Sequence, residues 1–401
     1  MLYVVKMGWK EMADTSRIDE VLSHALKEVS HITIDSLTAF MDLCSRTKEH
    51  MGDRKILFVL HLAKGGVNFG YARVISYLSQ HVTCLEGYVG AVLVDGADEL
   101  FTKKLGRQMI FIANRSGCTF PGKPLVEATG SLYNYTTQAT VQGLSLMDAY
   151  KKSSRNLVEK LLAYDGRRRP GIHTVLALHA SSRRTSNSLL LWEMVRSHLE
   201  SRVEVEEISL RNGALVDCRG CSYDTCLHFG EKGDCFYGGV IVKEVYPAIR
   251  RCDAMVLICP NYNDAVGANM MAFFNRLTAL FRTDWETFAS KAIYGLIVSG
   301  YSGGDIVAEQ IIDALNCNKN FILPGHFALM ETANDPRVSS CVKALKNGQL
   351  SWRSGYGRYT FQTIKKRIPF RIRFFMAYFC SFILDWYGIW YVIKKVSCVI
   401  R

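Results

Sequence analysis

The sequence predicts an α/β protein: a doubly wound, parallel, five-stranded sheet over residues 172–335, preceded by a second α/β domain. Three observations carry this. Apolar runs of strand length alternate with amphipathic helical stretches, the pattern of a parallel sheet covered on both faces. A polar linker, Asp165 to Gly171 (DGRRRPG), interrupts the alternation once, and its proline and glycine stop the preceding helix. The alternation then restarts and runs through five further strands.

Residues 1–50 read as an N-terminal helical segment, amphipathic over 16–48, with Ser16 as a candidate N-cap. Residues 51–165 read as the first α/β domain. Met51-Gly52-Asp53 breaks the helical pattern, and Ile56 to Leu62 has strand length. A Gly-rich loop, Lys64 to Gly70, leads into a helix at 71–80. Ala91 to Val94 and Met109 to Ala113 are further expected strands, and a helix over about 144–164 closes the region.

Past the linker, strands are expected at Thr174 to Ala180, Val203 to Leu210, Ala254 to Cys259, Ile293 to Ser299 and, briefly, Phe321 to Leu323. Helices are expected between them at 188–200, 239–251, 266–281 and 305–316. Five strands with crossover helices fit a flavodoxin-type sheet, whose ligands bind at the carboxyl ends of the strands. The halves also resemble each other: ILFVLHL (56–62) is similar to TVLALHA (174–180), and FIANRSG (111–117) to LIVSGYSGG (296–304). This pattern implies a duplication with an eroded first copy.

Residues 336–401 form a basic, apolar tail. Its segment 374–393 has the length of a membrane span, but Asp385 and Gly388 interrupt it, and its Tyr and Trp content suits an interface. Peripheral membrane contact through 370–401, or packing on the body or a second subunit, is preferred to a true span. The net charge of +12 concentrates in Arg167 to Arg169, Arg183-Arg184 and Lys365 to Arg373. No zinc-finger or RNA-binding signature accompanies it, so nucleic acid is not an expected partner. Thirteen cysteines with no secretory signal point to a reducing, cytoplasmic compartment, membrane association being the alternative.

The segment Ser181 to Ser188 (SSRRTSNS) joins a buried strand to a helix at the ligand-binding edge. Hydroxyls, an amide and N–H groups at a helix N-terminus make an anion site there, and two arginines add charge. An ordinary capping loop would use the same residue types.

These residues resemble the phosphate loop of NADPH-dependent FMN reductases and iron–sulfur flavoproteins. The matching positions are Ser181, Arg183, Ser186, Asn187 and Ser188, with Ala180 in place of the family's glycine and Ser182 in place of its proline. Pro260, Asn261, Tyr262 and Asn263 resemble the family's Ser-Pro-x-Tyr segment, with Cys259 for the serine. Ser299, Gly300, Tyr301, Ser302, Gly303 and Gly304 resemble its second glycine-rich loop, and Asn275-Arg276 falls where the family often has Asp-Arg. The resemblance implies FMN on these loops, NAD(P)H as hydride donor, a small-molecule or protein electron acceptor, and a homo-oligomer. No acid–base dyad is visible, and His179 reads as a core residue in preference to a site residue.

Cys218, Cys221, Cys226 and Cys235 occupy a loop after the second strand of this domain. The family resemblance makes them ligands of a [4Fe–4S] cluster, although their spacing is looser than the family's. Free thiols and structural zinc are the alternatives. Cys252, Cys259 and Cys317 read as small core residues. Three readings of function follow: an NAD(P)H-dependent FMN oxidoreductase; an iron–sulfur flavoprotein in electron transfer; a flavin-free scaffold. Lys64 to Gly70 is a weak phosphate loop, so the first domain is expected to serve as a scaffold, or in dimerisation or docking, without a second flavin.

Overall fold

The chain builds two sheets, each of five parallel strands and each in the order 2-1-3-4-5 when its strands are numbered along its own unit. The computed structural model describes residues 1–6, 8, 14–45, 54–165, 171–181, 186–199, 203–211 and 215–333. Two compact units divide it: 1–169 with 315–326, and 170–314 with 327–401.

In the first unit, the sheet is β1 (Leu2–Lys6), β2 (His31–Ile34), β3 (Arg54–Leu62), β4 (Tyr88–Gly96) and β5 (Leu125–Ala128), ordered β2-β1-β3-β4-β5. Its helices are α1 (Ser16–Ala25), α2 (Leu37–Ser45), α3 (Phe69–Gln80), α4 (Thr102–Arg115), α5 (Thr136–Gln142) and α6 (Leu146–Ala163). All nine residues of β4 are buried, which is why its sequence is apolar without alternation. Ile18, Val21, Leu22 and Ala25 of α1 pack with Leu157, Val158 and Leu161 of α6 over one face.

The N-terminal 50 residues differ from the expected helical segment, because β1 and β2 both lie there. β1 is central, between β2 and β3, and buries Leu2, Val4 and Val5. Its five residues are too short to show a period, and so carry little signal. The expected strand Met109–Ala113 is instead the buried side of α4. A short apolar run of this kind fits a buried helix as well as a strand. The fourth crossover therefore ends in β5, which the sequence reading missed.

Phe321 to Leu323 is a second correction. This stretch belongs to the first unit, where Leu323 makes an antiparallel bridge to Phe120. Asn316 Nδ2 donates to the carbonyls of Phe120, Pro121 and Phe321 at 3.2, 3.3 and 2.7 Å. A Cβ on Gly122 would lie 2.0 Å from Asn320 O, so only glycine permits this approach.

The second unit's sheet is β6 (Thr174–His179), β7 (Glu204–Ser209), β8 (Ala254–Pro260), β9 (Ala292–Ser299) and β10 (Ala328–Thr332), ordered β7-β6-β8-β9-β10. β10 supplies the fifth strand, in register with Gly295 to Ser299. Its helices are α7 (Asn187–Arg196), α8 (Tyr223–Gly230), α9 (Tyr246–Arg251), α10 (Ala268–Phe288) and α11 (Gly304–Ile311). Leu189, Trp192 and Val195 of α7 cover the face formed by Val175, Ala177, Val256, Ile258, Tyr294 and Leu296. Gly295 has the opposite parity, and there Ile311 of α11 comes close.

The fold class is thus the one expected, and the shared strand order fits the duplication. The matching segments, however, differ from those first aligned. β3 occupies the third position of its sheet and so corresponds to β8, whereas β6 corresponds to β1. FIANRSG lies on α4 and its following turn, and has no strand counterpart in 296–304. The tail, 374–393 included, lies outside the described residues. Among the described residues, no helix is long and apolar enough to cross a membrane.

Candidate functional site at the second sheet's carboxyl edge

Strands β6, β8 and β9 are adjacent and parallel, so the loops that follow them open on one edge. The crossovers from β6 and β8 start at the point where the strand order reverses.

After β6 comes the hydroxyl-rich loop. Residues 182–185, Arg183 included, lie outside the described residues. On either side of them, Ser181 and Ser188 are buried, at 5% and 1% exposure. Ser186 is the N-cap of α7, its Oγ accepting from Leu189 N at 3.2 Å. Ser188 Oγ lies 2.9 Å from Ser186 Oγ and 3.4 Å from Ser181 Oγ. Three hydroxyls thus gather at the N-terminus of a ten-residue helix. Asn187 Oδ1 is buried and accepts no hydrogen bond from the described residues.

Below this loop sits His179, 1% exposed. Its Nδ1 accepts from Ser181 N at 3.4 Å, and its Nε2 lies 3.3 Å from Glu207 Oε1. Trp192 Nε1 and Arg196 NH1 also donate to Glu207, at 3.2 and 3.4 Å. His179 is therefore buried, as expected, but it is also tied to the loop's backbone. Glu207 was missed: it lies in the charged stretch EVEE, which gives no sign of which carboxylate turns inward.

After β8, Pro260 ends the strand and Asn261 begins the loop. Asn261 Nδ2 donates to Ser302 O at 2.9 Å and to Ser299 Oγ and Asp264 Oδ1 at 3.3 and 3.2 Å. It thereby ties the second loop to the third. Its Oδ1 is buried and accepts no hydrogen bond. Asn263 and Asp264 both have left-handed backbone, φ 51° and 56°, which these two residue types tolerate better than most. Tyr262 N and Ala265 O exchange a bridge with Ala265 N and Tyr262 O, leaving the Tyr262 ring 57% exposed.

After β9, Ser299 is buried while Tyr301 is 82% exposed. Gly303 has φ 84° and caps α11. A Cβ there would lie 2.1 Å from Asp264 Oδ1 and 2.7 Å from Asn261 Nδ2. Asp264 and Gln310, which accepts from Val266 N at 2.9 Å, are further loop-holding residues that the sequence reading missed. Gly300, Ser302 and Gly304 complete the third loop. Burial pushes the Cys259 thiol up to about 12, so it is a neutral core group as expected.

The Cys-rich loop is held from beneath by Arg276, 2% exposed, which donates to Val216 O at 3.0 Å and to Gly238 O at 2.6 Å. Asn275 Nδ2 donates to Asp217 Oδ1 at 3.2 Å. Cys221, Cys226 and Cys235 are half-buried, and Cys218 is exposed. Among the described residues, no group of three or more His, Cys, Asp or Glu side chains is arranged to hold a metal ion.

The first unit's corresponding edge differs. Asp95, 1% exposed, receives Arg17 in a two-point ion pair: Nε to Oδ2 at 2.9 Å and NH2 to Oδ1 at 3.0 Å. Arg17 also donates to Gly96 O and Gly130 O, and His61 Nδ1 lies 3.3 Å from Asp95 Oδ1. In the Lys64 to Gly70 loop, Asp98 Oδ2 accepts from Gly65 N at 2.5 Å, and Asn68 caps α3 through Tyr71 N at 2.8 Å.

Residues 173–335 match the sequence model of the family described as NADPH-dependent FMN reductase. The resemblance read from the three loops is borne out over that stretch. An iron–sulfur flavoprotein of Archaeoglobus fulgidus is 26% identical over 143 residues, covering 34% of this chain and 69% of that protein. Two solved structures also align. An NAD(P)H:quinone oxidoreductase of Methanothermobacter marburgensis is 18% identical, covering 44% of this chain and 93% of its own, with a TM-score of 0.32. An azoreductase of Bacillus anthracis is 14% identical, covering 44% of this chain and 96% of its own, with a TM-score of 0.34.

Proposed function

We propose that the second unit binds FMN across the loops after β6, β8 and β9, and that the chain is an NAD(P)H-dependent FMN oxidoreductase. The observation that carries this is the leftover polarity of that edge. Asn187 Oδ1 and Asn261 Oδ1 are buried and find no hydrogen-bond donor among the described residues, within the segment that matches the FMN reductase family. A buried amide oxygen without a partner costs stability unless a ligand or water supplies a donor.

In this reading Ser181, Ser186, Asn187 and Ser188, with Arg183, hold the phosphate. The N-terminus of α7 supplies N–H groups and partial positive charge. Pro260, Asn261, Tyr262 and Asn263 lie along the ring system, and Ser299 to Gly304 close its far end. Asn261 keeps the second and third loops in register, and its oxygen is left to accept from a ligand N–H or hydroxyl. Tyr262 and Tyr301 offer exposed aromatic surface against a flat ligand. His179 and Glu207 position Ser181 and touch no ligand. FMN, when bound, accepts a hydride from a reduced nicotinamide and hands electrons on to an acceptor. No step here passes through an iron–sulfur cluster.

The acceptor is a small molecule or a protein, the assembly a homo-oligomer, and the compartment the cytoplasm, with peripheral membrane contact through 370–401 as a further part of the proposal. The full chain, stripped of cofactor and titrated with FMN, should quench the flavin's fluorescence to a saturating end point. The bound flavin should then lose its visible band on anaerobic addition of NADPH or NADH. A chain that takes up no FMN overturns the reading. Uptake without bleaching keeps the site and removes the activity.

A further inference from the structure

The first unit takes no part in the flavin reading, yet five of its exposed large apolar side chains gather at the carboxyl edge of its sheet. Val67 and Phe69 follow β3, Leu100 and Phe101 follow β4, and Tyr133 follows β5. Phe69, Leu100 and Tyr133 are 65%, 68% and 73% exposed. The three loops are tied to one another by contacts that leave these side chains out. Ala97 N donates to Leu62 O at 2.9 Å and Gly130 N to Asp98 O at 3.1 Å. Gly65 N donates to Asp98 Oδ2, and Ser131 N to Glu99 Oε1 at 2.7 Å. Gly66 comes so near Phe101 that a Cβ on it would lie 2.7 Å from Phe101 Cβ. That approach brings the chain neighbours Val67 and Leu100 to the same place.

Phe101 has φ 76°, a backbone region that a bulky residue enters only under strain, and its side chain still stays 39% exposed. Such strain is retained where a side chain serves something outside the core. The surrounding charge is positive. Segments 63–73 and 97–107 hold Lys64, Arg73, Lys103, Lys104 and Arg107 against Asp98 and Glu99, a net charge of +3. Both acids are turned back on the backbone N–H groups of Gly65 and Ser131. Lys64, Lys103 and Lys104 are exposed, with Lys103 Nζ 3.9 Å from Glu127 Oε1.

We propose that this edge docks on an anionic phospholipid bilayer. The aromatic and aliphatic side chains enter the interface, and the lysines meet the negative headgroups. The composition favours a bilayer over a protein. Protein interfaces are depleted in lysine. Apolar side chains flanked by lysines with long flexible stems suit the boundary between acyl chains and headgroups. This surface is distinct from the tail at 370–401, and it does not depend on the flavin.

The test uses the full chain in a flotation gradient, with phosphatidylcholine vesicles that contain or lack phosphatidylserine. Wild type should float with the anionic vesicles only, and high salt should weaken the binding. Hydrogen exchange of the vesicle-bound chain, read by mass spectrometry, should slow in peptides covering 63–71 and 97–105. F69S/L100S should bind about tenfold more weakly or worse, and so should the charge reversal K64E/K104E. Both variants should keep the wild-type urea midpoint, because the replaced side chains are exposed. A wild-type chain that does not float would overturn the proposal. So would flotation that F69S/L100S leaves unchanged, or protection confined to other peptides, the tail included. Self-association that F69S/L100S abolishes while flotation persists would assign the surface to a second copy instead. The wild-type exchange map decides the matter even where a variant folds poorly.

Discussion

At the carboxyl edge of the first sheet, a buried carboxylate is closed off by its own chain; at the same edge of the second, hydroxyls and amide oxygens are left over. Both sheets run 2-1-3-4-5, so topology offers a ligand crevice twice. The contents differ at a few residues. Near the end of β4 stands Asp95, in register with His61 and held by Arg17 from α1. At the end of β9 stands Ser299, joined by Asn261 from β8's loop. A buried carboxylate with its own arginine forms a neutral pair that has no further need of a partner. At the second edge the serine and the amide are neutral, and the carboxylate beside them, Asp264, accepts from Asn261. The comparison teaches that strand order places the edge, while the side chains at its strand ends decide whether polar groups are left over there.

The largest effect is expected from breaking that ion pair. Arg17→Met leaves Asp95 buried without its guanidinium, with only His61 still beside it among the described residues, which costs about 3–5 kcal/mol of stability. Urea unfolding of the full chain reads it, and the double variant R17M/D95N should recover most of the loss. A stability loss under about 1 kcal/mol for R17M would show that the edge is not held by this pair.

Next is Gly303→Ala in the second edge. It places a Cβ against Asp264 and Asn261 at φ 84°, a strain of roughly 1–3 kcal/mol. FMN affinity should fall by about tenfold, since 1.4 kcal/mol is tenfold in a binding constant, while the first unit's stability is unchanged. Ser186→Ala should be milder, removing an N-cap worth roughly 1 kcal/mol. It should weaken FMN binding severalfold in a fluorescence titration.

The smallest effect concerns the first unit alone. Burial, with the Lys123 cation second, pushes the Lys160 ammonium down to about 8. A lysine whose folded value is depressed binds fewer protons folded than unfolded, so stability rises with pH from about 8 towards the ordinary 10.5 and the penalty is fully present below 8. Lys160→Gln should flatten that part of the wild-type pH profile of urea unfolding. An identical slope in both proteins would contradict the assignment.

Much of the second unit was legible because β6, β8 and β9 are buried on both faces and read as apolar runs, and because three loops follow them in order. The first unit was less legible for physical reasons. β1 has only five residues, and its central position comes from pairing that no local pattern records. Met109 to Ala113 is apolar because α4 is buried there. Phe321 to Leu323 is apolar because it is buried in the first unit, although in sequence it lies within the second unit's last crossover, between α11 and β10. Asp264 and Glu207 were invisible for another reason. Both are charged residues in polar stretches, and only the folded chain shows that Glu207 turns inward and that Asp264 accepts from Asn261.

The most direct measurement of the central claim is the FMN stoichiometry of the cofactor-stripped full chain, by calorimetric titration. The account predicts one FMN per chain, lost or weakened in G303A and unchanged when Lys64 is replaced by alanine. Binding of two FMN per chain, or of none, would contradict it.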